Sequence, residues 1–277
     1  MRNQYQLGLY EKALPSTLSW EEKFIAAKTA GFDYIEISID ETDAKLSRLD
    51  FSREEILEIV ETGRKHNMYL GSICLSGHRK YPLGGENSKS MEIMEKAIYF
   101  AKTAGIAIIQ LAGYDVYYTD STDETKQRFE ENLKIATNMA AKYGILLGFE
   151  TMETPFMDTV EKAMYYVNKV SSPYLNVYPD VGNLTNSSLL YNKSVEDDLE
   201  TGKGNIIATH IKETVPGKYR EIPFSTGHVN FESVINKAWM LGSRRFVTEL
   251  WYTGNENWKD DIAYASTLAR SILDKEV

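Results

Sequence analysis

The sequence has little of what stabilises secreted or membrane-bound proteins. It contains one cysteine, Cys74, among 277 residues, so a disulfide framework is excluded and a reducing compartment is expected. Residues 1–6 lack the apolar core of a signal peptide. No later run approaches the about 20 apolar residues that span a bilayer. These absences predict a cytoplasmic chain with no membrane partner.

Positive charge is also scarce, because 31 basic residues face 40 acidic ones and the formal net charge is −9. Nonspecific binding to nucleic acid depends on phosphate contacts from Lys and Arg, so a nucleic-acid partner is not expected. A small anionic substrate remains compatible with this charge where basic residues gather locally.

No segment rich in Pro, Gly or Ser divides the chain, which alternates between strand-like and helix-like stretches. Apolar runs predict eight strands, at 5–10, 34–39, 69–76, 106–113, 145–151, 175–181, 205–212 and 245–251. Capping residues and glycines predict eight helices, at 20–30, 53–65, 88–104, 122–143, 158–170, 194–201, 231–241 and 258–273.

Strict alternation of strand and helix forces parallel pairing with right-handed crossovers. At this length, eight such units predict an α/β fold, a (β/α)8 TIM barrel, with residues 1–277 as a single domain. A doubly wound open sheet is the alternative. Against it, no glycine-rich loop follows the first strand, because Leu7–Lys12 lacks the glycine spacing of a dinucleotide-binding loop.

Four consecutive predicted strands, the fifth to the eighth, each end on a metal-ligating side chain: Glu150, Asp180, His210 and Glu249. Active residues of such barrels lie at the carboxyl ends of the strands, and neighbouring strands are about 4.8 Å apart. The four side chains can therefore converge on one ion. Three carboxylates and one imidazole suit Zn²⁺, Mn²⁺, Mg²⁺ or Co²⁺, and do not suit copper or an iron–sulfur cluster.

The sequence around these four residues resembles that of the L-ribulose-5-phosphate 3-epimerases, also called L-xylulose-5-phosphate 3-epimerases, which are xylose-isomerase-like barrels of L-ascorbate utilisation. The similar motifs are Phe-Glu-Thr-Met at Glu150, Tyr-Pro-Asp-Val-Gly-Asn at Asp180, Thr-His-Ile-Lys-Glu-Thr at His210 and Thr-Glu-Leu-Trp at Glu249. Further similar segments are Gly8–Pro15, Asp40–Asp43, Leu46–Leu49, Cys74–Arg79 and Gln110–Tyr118. The resemblance covers nearly the whole chain.

The resemblance implies an isomerase that interconverts L-xylulose 5-phosphate and L-ribulose 5-phosphate by proton transfer at C3. One divalent ion on the four ligands would polarise the ketone and stabilise the enediolate. Glu150 and Glu249 would be both ligands and the acid–base pair flanking C3, whereas Asp180 and His210 would be ligands only. Which glutamate takes the proton depends on the direction of the reaction.

A phosphorylated ketopentose needs a separate anion site. Candidate contacts at strand ends or in the loops that follow are Lys12, Arg48, His78, Arg79 and Lys212. Adjacent cationic and donor groups such as His78 and Arg79 suit a phosphate dianion. Lys212 lies two residues after His210, so its side chain is expected on the same side of the strand.

The sequence departs from the free-ketose 3-epimerases to which its metal quartet is also similar. Those enzymes place a histidine three residues after the aspartate and an arginine six after the ligand histidine. Asn183 and Pro216 occupy these positions here. A different arrangement must therefore hold the sugar, which favours the phosphorylated substrate.

Alternatives remain open at this point. A free-ketose epimerase or an aldose–ketose isomerase on the same barrel is the nearest. A DNA-repair endonuclease is disfavoured, because four histidines and a negative net charge do not suit a trinuclear site on DNA. A noncatalytic sugar-phosphate binding protein is the alternative outside enzymes. We also consider a homodimer, in which the aromatic loop 114–118 would form either the interface or a lid.

Overall fold

A computed structural model describes residues 4–276 of the chain. Eight strands form one parallel sheet in the order β6-β5-β4-β3-β2-β1-β8-β7. They are β1 Gln6–Tyr10, β2 Tyr34–Ser38, β3 Leu70–Leu75, β4 Ile108–Ala112, β5 Leu146–Glu150, β6 Leu175–Val177, β7 Thr209–Lys212 and β8 Arg245–Glu249. The predicted α/β class and eight-stranded TIM barrel are therefore confirmed. Of the single domain predicted over 1–277, residues 1–3 and 277 lie outside the described residues.

The sheet closes through its two end strands, β6 and β7. These strands are joined by single bridges, at Val177–Ile206 and at Asp180–His210. The His210 amide donates to the Pro179 carbonyl at 2.9 Å. This seam is short because β6 has three residues, and it brings two of the predicted ligands next to each other.

Ten α-helices surround the sheet in the described part of the chain, two more than predicted. They are α1 Trp20–Thr29, α2 Asp43–Leu46, α3 Arg53–Lys65, α4 Lys89–Ala104, α5 Asp123–Ala141, α6 Val160–Val170, α7 Val181–Tyr191, α8 Val195–Thr201, α9 Phe231–Met240 and α10 Trp258–Leu273. Within residues 4–276, no helix combines the length and the apolar character that crossing a membrane requires.

Helix α7 is the important correction to the sequence prediction, which extended the sixth strand to residue 181. Its sequence is rich in Asn, Ser and Thr, which are poor helix formers because their side chains compete for backbone hydrogen bonds. Asp180 nevertheless caps the helix by accepting from the Asn183 amide at 2.8 Å. The strand therefore ends early, and Asp180 lies at a helix N-terminus.

The barrel interior contains a layer of aromatic and small apolar side chains. Tyr34 lies at its centre, fully buried. Gly8 and Gly71 flank it, and a Cβ atom at either position would collide with the Tyr34 ring. A close approach of this kind requires glycine. Above this layer, toward the carboxyl ends of the strands, the interior becomes polar, and the predicted metal ligands lie there.

Candidate metal centre and active site

The structure brings the four predicted ligands together. Glu150 ends β5, Asp180 caps α7, His210 lies in β7 and Glu249 ends β8. Each offers one ligand atom, and these atoms all lie within 4.8 Å of one another. All four residues are buried. The four side chains therefore converge as the sequence predicted, although Asp180 lies beyond the end of β6 and His210 lies inside β7.

The imidazole of His210 lies among the three carboxylates. Its Nδ1 atom is 3.1 Å from Glu249 Oε2, 3.4 Å from Glu150 Oε1 and 3.9 Å from Asp180 Oδ2. These separations leave the four groups facing a common point, which is the arrangement that an ion with several protein ligands needs.

The hydrogen bonding of the cluster tests whether a cation fits. Among the described residues, His210 Nδ1, Asp180 Oδ2 and Glu249 Oε2 are buried and have no hydrogen-bond partner of acceptable geometry. Buried polar atoms are rarely left in this state, because each costs about 1–3 kcal/mol. All three are metal-ligating atoms and they face one another. The donor set therefore fits one divalent cation.

Crowding of like charges shifts the protonation of these groups. Burial and the neighbouring Glu249 carboxylate raise the pKa of Asp180 to about 7, against the attraction of Lys212. Burial alone would lower the pKa of His210, but the carboxylates of Glu36, Glu249 and Glu150 raise it well above its ordinary value. Without a cation, the cluster therefore retains protons that a bound ion would displace.

Lys212 lies on the same side of β7 as His210, as expected from the period of a strand. Its Nζ atom is 2.7 Å from Asp180 Oδ2 and 3.5 Å from Glu249 Oε2, and the side chain is buried. Burial would lower its pKa, but these carboxylates raise it above the ordinary value of a lysine. Lys212 is thus a fixed positive charge beside two of the predicted ligands.

Arg79 lies in a rim network formed by the loops that follow several strands. Its guanidinium lies 4.8 Å from the centre of the Tyr117 ring. Tyr117 donates to Glu153 Oε1 at 3.0 Å, and Glu153 also pairs with Arg220. Arg79 and Arg220 are therefore linked through Tyr117 and Glu153, so that two guanidinium groups belong to one rim network.

Three other predicted phosphate contacts have protein partners of their own. His78 is buried, its Nε2 lies 3.1 Å from the Ser90 carbonyl, and burial lowers its pKa to about 4. Lys12 pairs with Asp40 at 2.5 Å. Arg48 binds Glu11 through both terminal nitrogens, at 2.6 and 2.8 Å. The structure does not bring these three residues into the ligand cluster.

Sequence reasoning missed three residues that touch or adjoin the site. Glu36 lies 2.6 Å from His210 Nε2, Gln110 Nε2 donates to Glu150, and Arg220 pairs with Glu153. For Glu36 and Gln110 a signal existed, because each is a polar side chain inside an otherwise apolar buried strand. For Arg220 there was none, since a basic residue in a loop is ordinarily solvated.

The match to a known family agrees with this geometry. The sequence model of the family described as xylose isomerase-like TIM barrel matches residues 24–268. The chain belongs to this family. It is 40% identical over 280 residues to L-ribulose-5-phosphate 3-epimerase UlaE of Salmonella paratyphi A, a match that covers 99% of this chain and 97% of that relative. The resemblance predicted from the motifs is thereby confirmed.

Solved structures of more distant relatives share the fold. D-Psicose 3-epimerase of Clostridium cellulolyticum H10, solved with D-tagatose, has a TM-score of 0.78 at 14% identity, covering 97% of this chain and 99% of that one. A structure of L-ribulose 3-epimerase has a TM-score of 0.71 at 15% identity, covering 98% of this chain and 94% of that one. At such identities the likeness shows the fold alone.

Proposed function

We propose that the protein is a divalent-metal-dependent sugar-phosphate 3-epimerase that interconverts L-xylulose 5-phosphate and L-ribulose 5-phosphate. The observation that carries this proposal is the convergence of Glu150 and Glu249 with Asp180 and His210, within 4.8 Å, at the carboxyl ends of the barrel strands. The substrate follows from the name of the relatives, L-ribulose-5-phosphate 3-epimerase, at 40% identity over nearly the whole chain.

Epimerisation at C3 of a 2-ketose removes a proton next to the carbonyl and returns one to the opposite face. This reaction needs two proton-transferring groups, one on each side of C3. Glu150 and Glu249 are suited to the task because they come from the outermost of the four ligand strands, β5 and β8. A divalent ion held by the quartet would supply Lewis-acid polarisation of the ketone.

Two further polar side chains, Gln110 and Lys212, assist binding and charge balance. Gln110, which donates to Glu150 Oε2, would fix that carboxylate toward the substrate. Lys212 adds a buried positive charge beside Asp180 and Glu249, where negative charge would accumulate on the substrate oxygens. The choice between the two glutamates as base depends on the direction of turnover.

For the phosphate we propose Arg79 and Arg220. Arg79 keeps a buried Nε without a hydrogen-bond partner among the described residues. Burial would lower the pKa of Arg220, but the carboxylates of Glu153 and Glu249 raise it, so Arg220 lies within electrostatic reach of Glu249. Two guanidinium groups suit a phosphate dianion, which both can bind in bidentate fashion.

Solvent deuterium distinguishes this function from its nearest alternatives. L-Xylulose 5-phosphate turned over in D₂O should acquire deuterium at C3 alone, measured by NMR of the recovered ketose phosphates. Label at C1 of the ketose, or at C2 of an aldose product, would instead indicate an aldose–ketose isomerase. Free L-ribulose, tested in parallel, should react far more slowly; equal rates for the free and the phosphorylated sugar would identify a free-ketose epimerase.

Several other predictions from the sequence stay predictions. They are a cytoplasmic location, a place in L-ascorbate utilisation, assembly as a homodimer, and the identity of the ion among Zn²⁺, Mn²⁺, Mg²⁺ and Co²⁺. The contributions of Lys12, Arg48 and His78 to substrate binding also stay predictions, and the partners described above do not favour them.

A further inference from the structure

Glu36 is a fully buried carboxylate in the middle of β2, outside the quartet. Its two oxygens have separate partners. The hydroxyl groups of Ser72 and Tyr178 donate to Oε2 at 2.6 and 2.8 Å. Oε1 lies 2.6 Å from His210 Nε2. A buried carboxylate is tolerated only with such partners, and here the partners also fix how it is oriented.

The contact with Glu36 decides which ring nitrogen of His210 points toward the other predicted ligands. With Nε2 directed at Glu36, Nδ1 faces the quartet, 3.1 Å from Glu249 Oε2 and 3.4 Å from Glu150 Oε1. In a neutral imidazole one nitrogen carries the proton and the other the lone pair. A proton on Nε2, donated to Glu36, leaves the Nδ1 lone pair for an ion.

We propose that Glu36 is a positioning residue that holds His210 with Nε2 protonated and Nδ1 directed at the metal site. The proposal rests on the metal-binding part of the proposed function and deepens it. Ser72 and Tyr178 help to position Glu36, because their hydroxyl groups bind its Oε2 and so leave Oε1 for the imidazole. The negative charge of Glu36 also makes the imidazole a stronger ligand.

Glu36→Gln tests the proposal directly, because glutamine keeps the size of the side chain and removes its charge. The dissociation constants of Zn²⁺ and Mn²⁺ are measured by competition with a chromophoric chelator, on purified full-length protein. We expect about 10–100-fold weaker binding, the range typical for the loss of a carboxylate behind a ligating histidine. Circular dichroism and thermal unfolding verify that the variant is folded.

Two milder variants keep the proposal testable if Glu36→Gln does not fold. Ser72→Ala and Tyr178→Phe each remove one hydroxyl from Glu36 Oε2 and leave the contact with His210. We expect a smaller loss of affinity for each, below about 10-fold, and a larger loss for the pair together. Cys74→Ala is the matched control. Cys74 is a buried residue of β3, the strand that also contains Ser72, and its substitution should leave the dissociation constants unchanged.

A spectroscopic measurement separates positioning from a general loss of packing. The chain has four histidines, so ¹⁵N-imidazole spectra of histidine-labelled, metal-loaded protein are simple. The wild-type spectrum should show one imidazole that is protonated on Nε2 and whose Nδ1 resonance is shifted by the metal. In the spectrum of Glu36→Gln these two signals should be weaker or absent.

Two outcomes would overturn the proposal. An unchanged dissociation constant and tautomer in folded Glu36→Gln, with one ion still bound, would overturn it and leave the proposed function intact. A wild-type protein that binds no divalent ion would overturn the proposed function as well, and the wild-type titration alone identifies that case.

Discussion

Two buried clusters of charge lie near the carboxyl ends of the strands, and they are organised in opposite ways. In the first, Glu11 accepts from Lys23 at 2.7 Å, Lys45 at 2.9 Å and both terminal nitrogens of Arg48. The Ser38 amide donates to the same carboxylate at 3.0 Å. Among the described residues, no side-chain atom of this ion cluster is buried without a partner.

The second cluster, formed by Glu150, Asp180, His210 and Glu249, has the opposite charge balance. Three carboxylates share one imidazole and Lys212, whose Nζ pairs with Asp180 Oδ2 at 2.7 Å. Among the described residues, three buried atoms of these ligands make no hydrogen bond of acceptable geometry. A carboxylate surrounded by cations is complete and stabilises the fold. Carboxylates that crowd one another with free lone pairs are incomplete without a cation. Although both clusters are charged, the first is complete without an added cation, whereas the second has a donor set that fits one.

The largest effect is expected in the quartet. Glu150→Gln and Glu249→Gln should each lower kcat by about 10²–10⁴-fold, the range that a positioned acid or base contributes. The free energy of unfolding of the metal-free protein should fall less than in Glu11→Gln, because Glu150 and Glu249 face like charges as well as the His210 imidazole. Steady-state kinetics and thermal unfolding measure the two quantities.

Glu11→Gln, the same substitution in the Glu11 ion cluster, is the matched control. A normal kcat in Glu150→Gln or Glu249→Gln would contradict the proposed catalysis. Wild-type protein that binds the sugar phosphate without turning it over would also contradict it, and would indicate a noncatalytic binding protein.

Glu11→Gln should have the reverse signature. It leaves one buried and two partly buried cations around a neutral amide, and breaking a buried ion pair in this way costs about 3–5 kcal/mol. The free energy of unfolding, measured in denaturant, should fall by that amount, while kcat of the folded enzyme stays close to wild type. A large loss of kcat at full stability would show that the two clusters are not separate.

The ion cluster also predicts a pH dependence of stability. Burial alone would raise the pKa of Glu11, but Arg48, Lys45 and Lys23 hold it far below its ordinary value of 4.5. A carboxyl with a depressed folded-state pKa stabilises the fold fully above its unfolded-state pKa, and this stabilisation is lost as pH falls toward the folded-state value.

The free energy of unfolding of wild type should therefore decrease below pH about 4.5 more steeply than that of Glu11→Gln. Denaturant titrations at several acidic pH values measure the two slopes. Parallel curves would show that the Glu11 carboxyl has no depressed pKa.

The smallest effects are expected for substitutions of Arg220 and Arg48. Comparing the two distinguishes an effect on substrate binding from an effect on stability. Arg220→Ala should raise KM for the phosphorylated ketose about 10-fold, with little change in kcat, if Arg220 holds the phosphate. Its partial exposure predicts a small loss of stability. Arg48→Ala should instead destabilise the protein and leave KM near its original value. A raised KM in Arg48→Ala would support the sequence-based assignment of Arg48 to the substrate.

The sequence was sufficient for the barrel and for the grouping of the four predicted ligands, for a shared physical reason. Buried parallel strands are continuous apolar runs, so a charged residue at the end of such a run is conspicuous. Glu150 and Glu249 were visible in this way. Asp180 was identified as a ligand but placed on a strand, because the polar composition of α7 concealed the helix that it caps.

The rest could not be derived because it depends on contacts between distant segments. Glu36 and His210 are 174 residues apart, and no local pattern pairs them. Arg48 and Arg220 are both basic residues in loops, and only the packed structure shows that one lies against Glu11 and the other against Glu153. Local pattern identifies the residues of a strand end, whereas partner choice among charged side chains is a property of the tertiary fold.

The most direct test of the account is turnover of L-xylulose 5-phosphate by metal-stripped protein to which Zn²⁺, Mn²⁺, Mg²⁺ or Co²⁺ is restored in turn. We predict no C3 epimerisation by the stripped protein, recovery that saturates at one ion per chain, and no recovery in Glu249→Gln. Full activity of the stripped protein, or recovery in Glu249→Gln equal to wild type, would contradict the assignment of the quartet as the catalytic metal site.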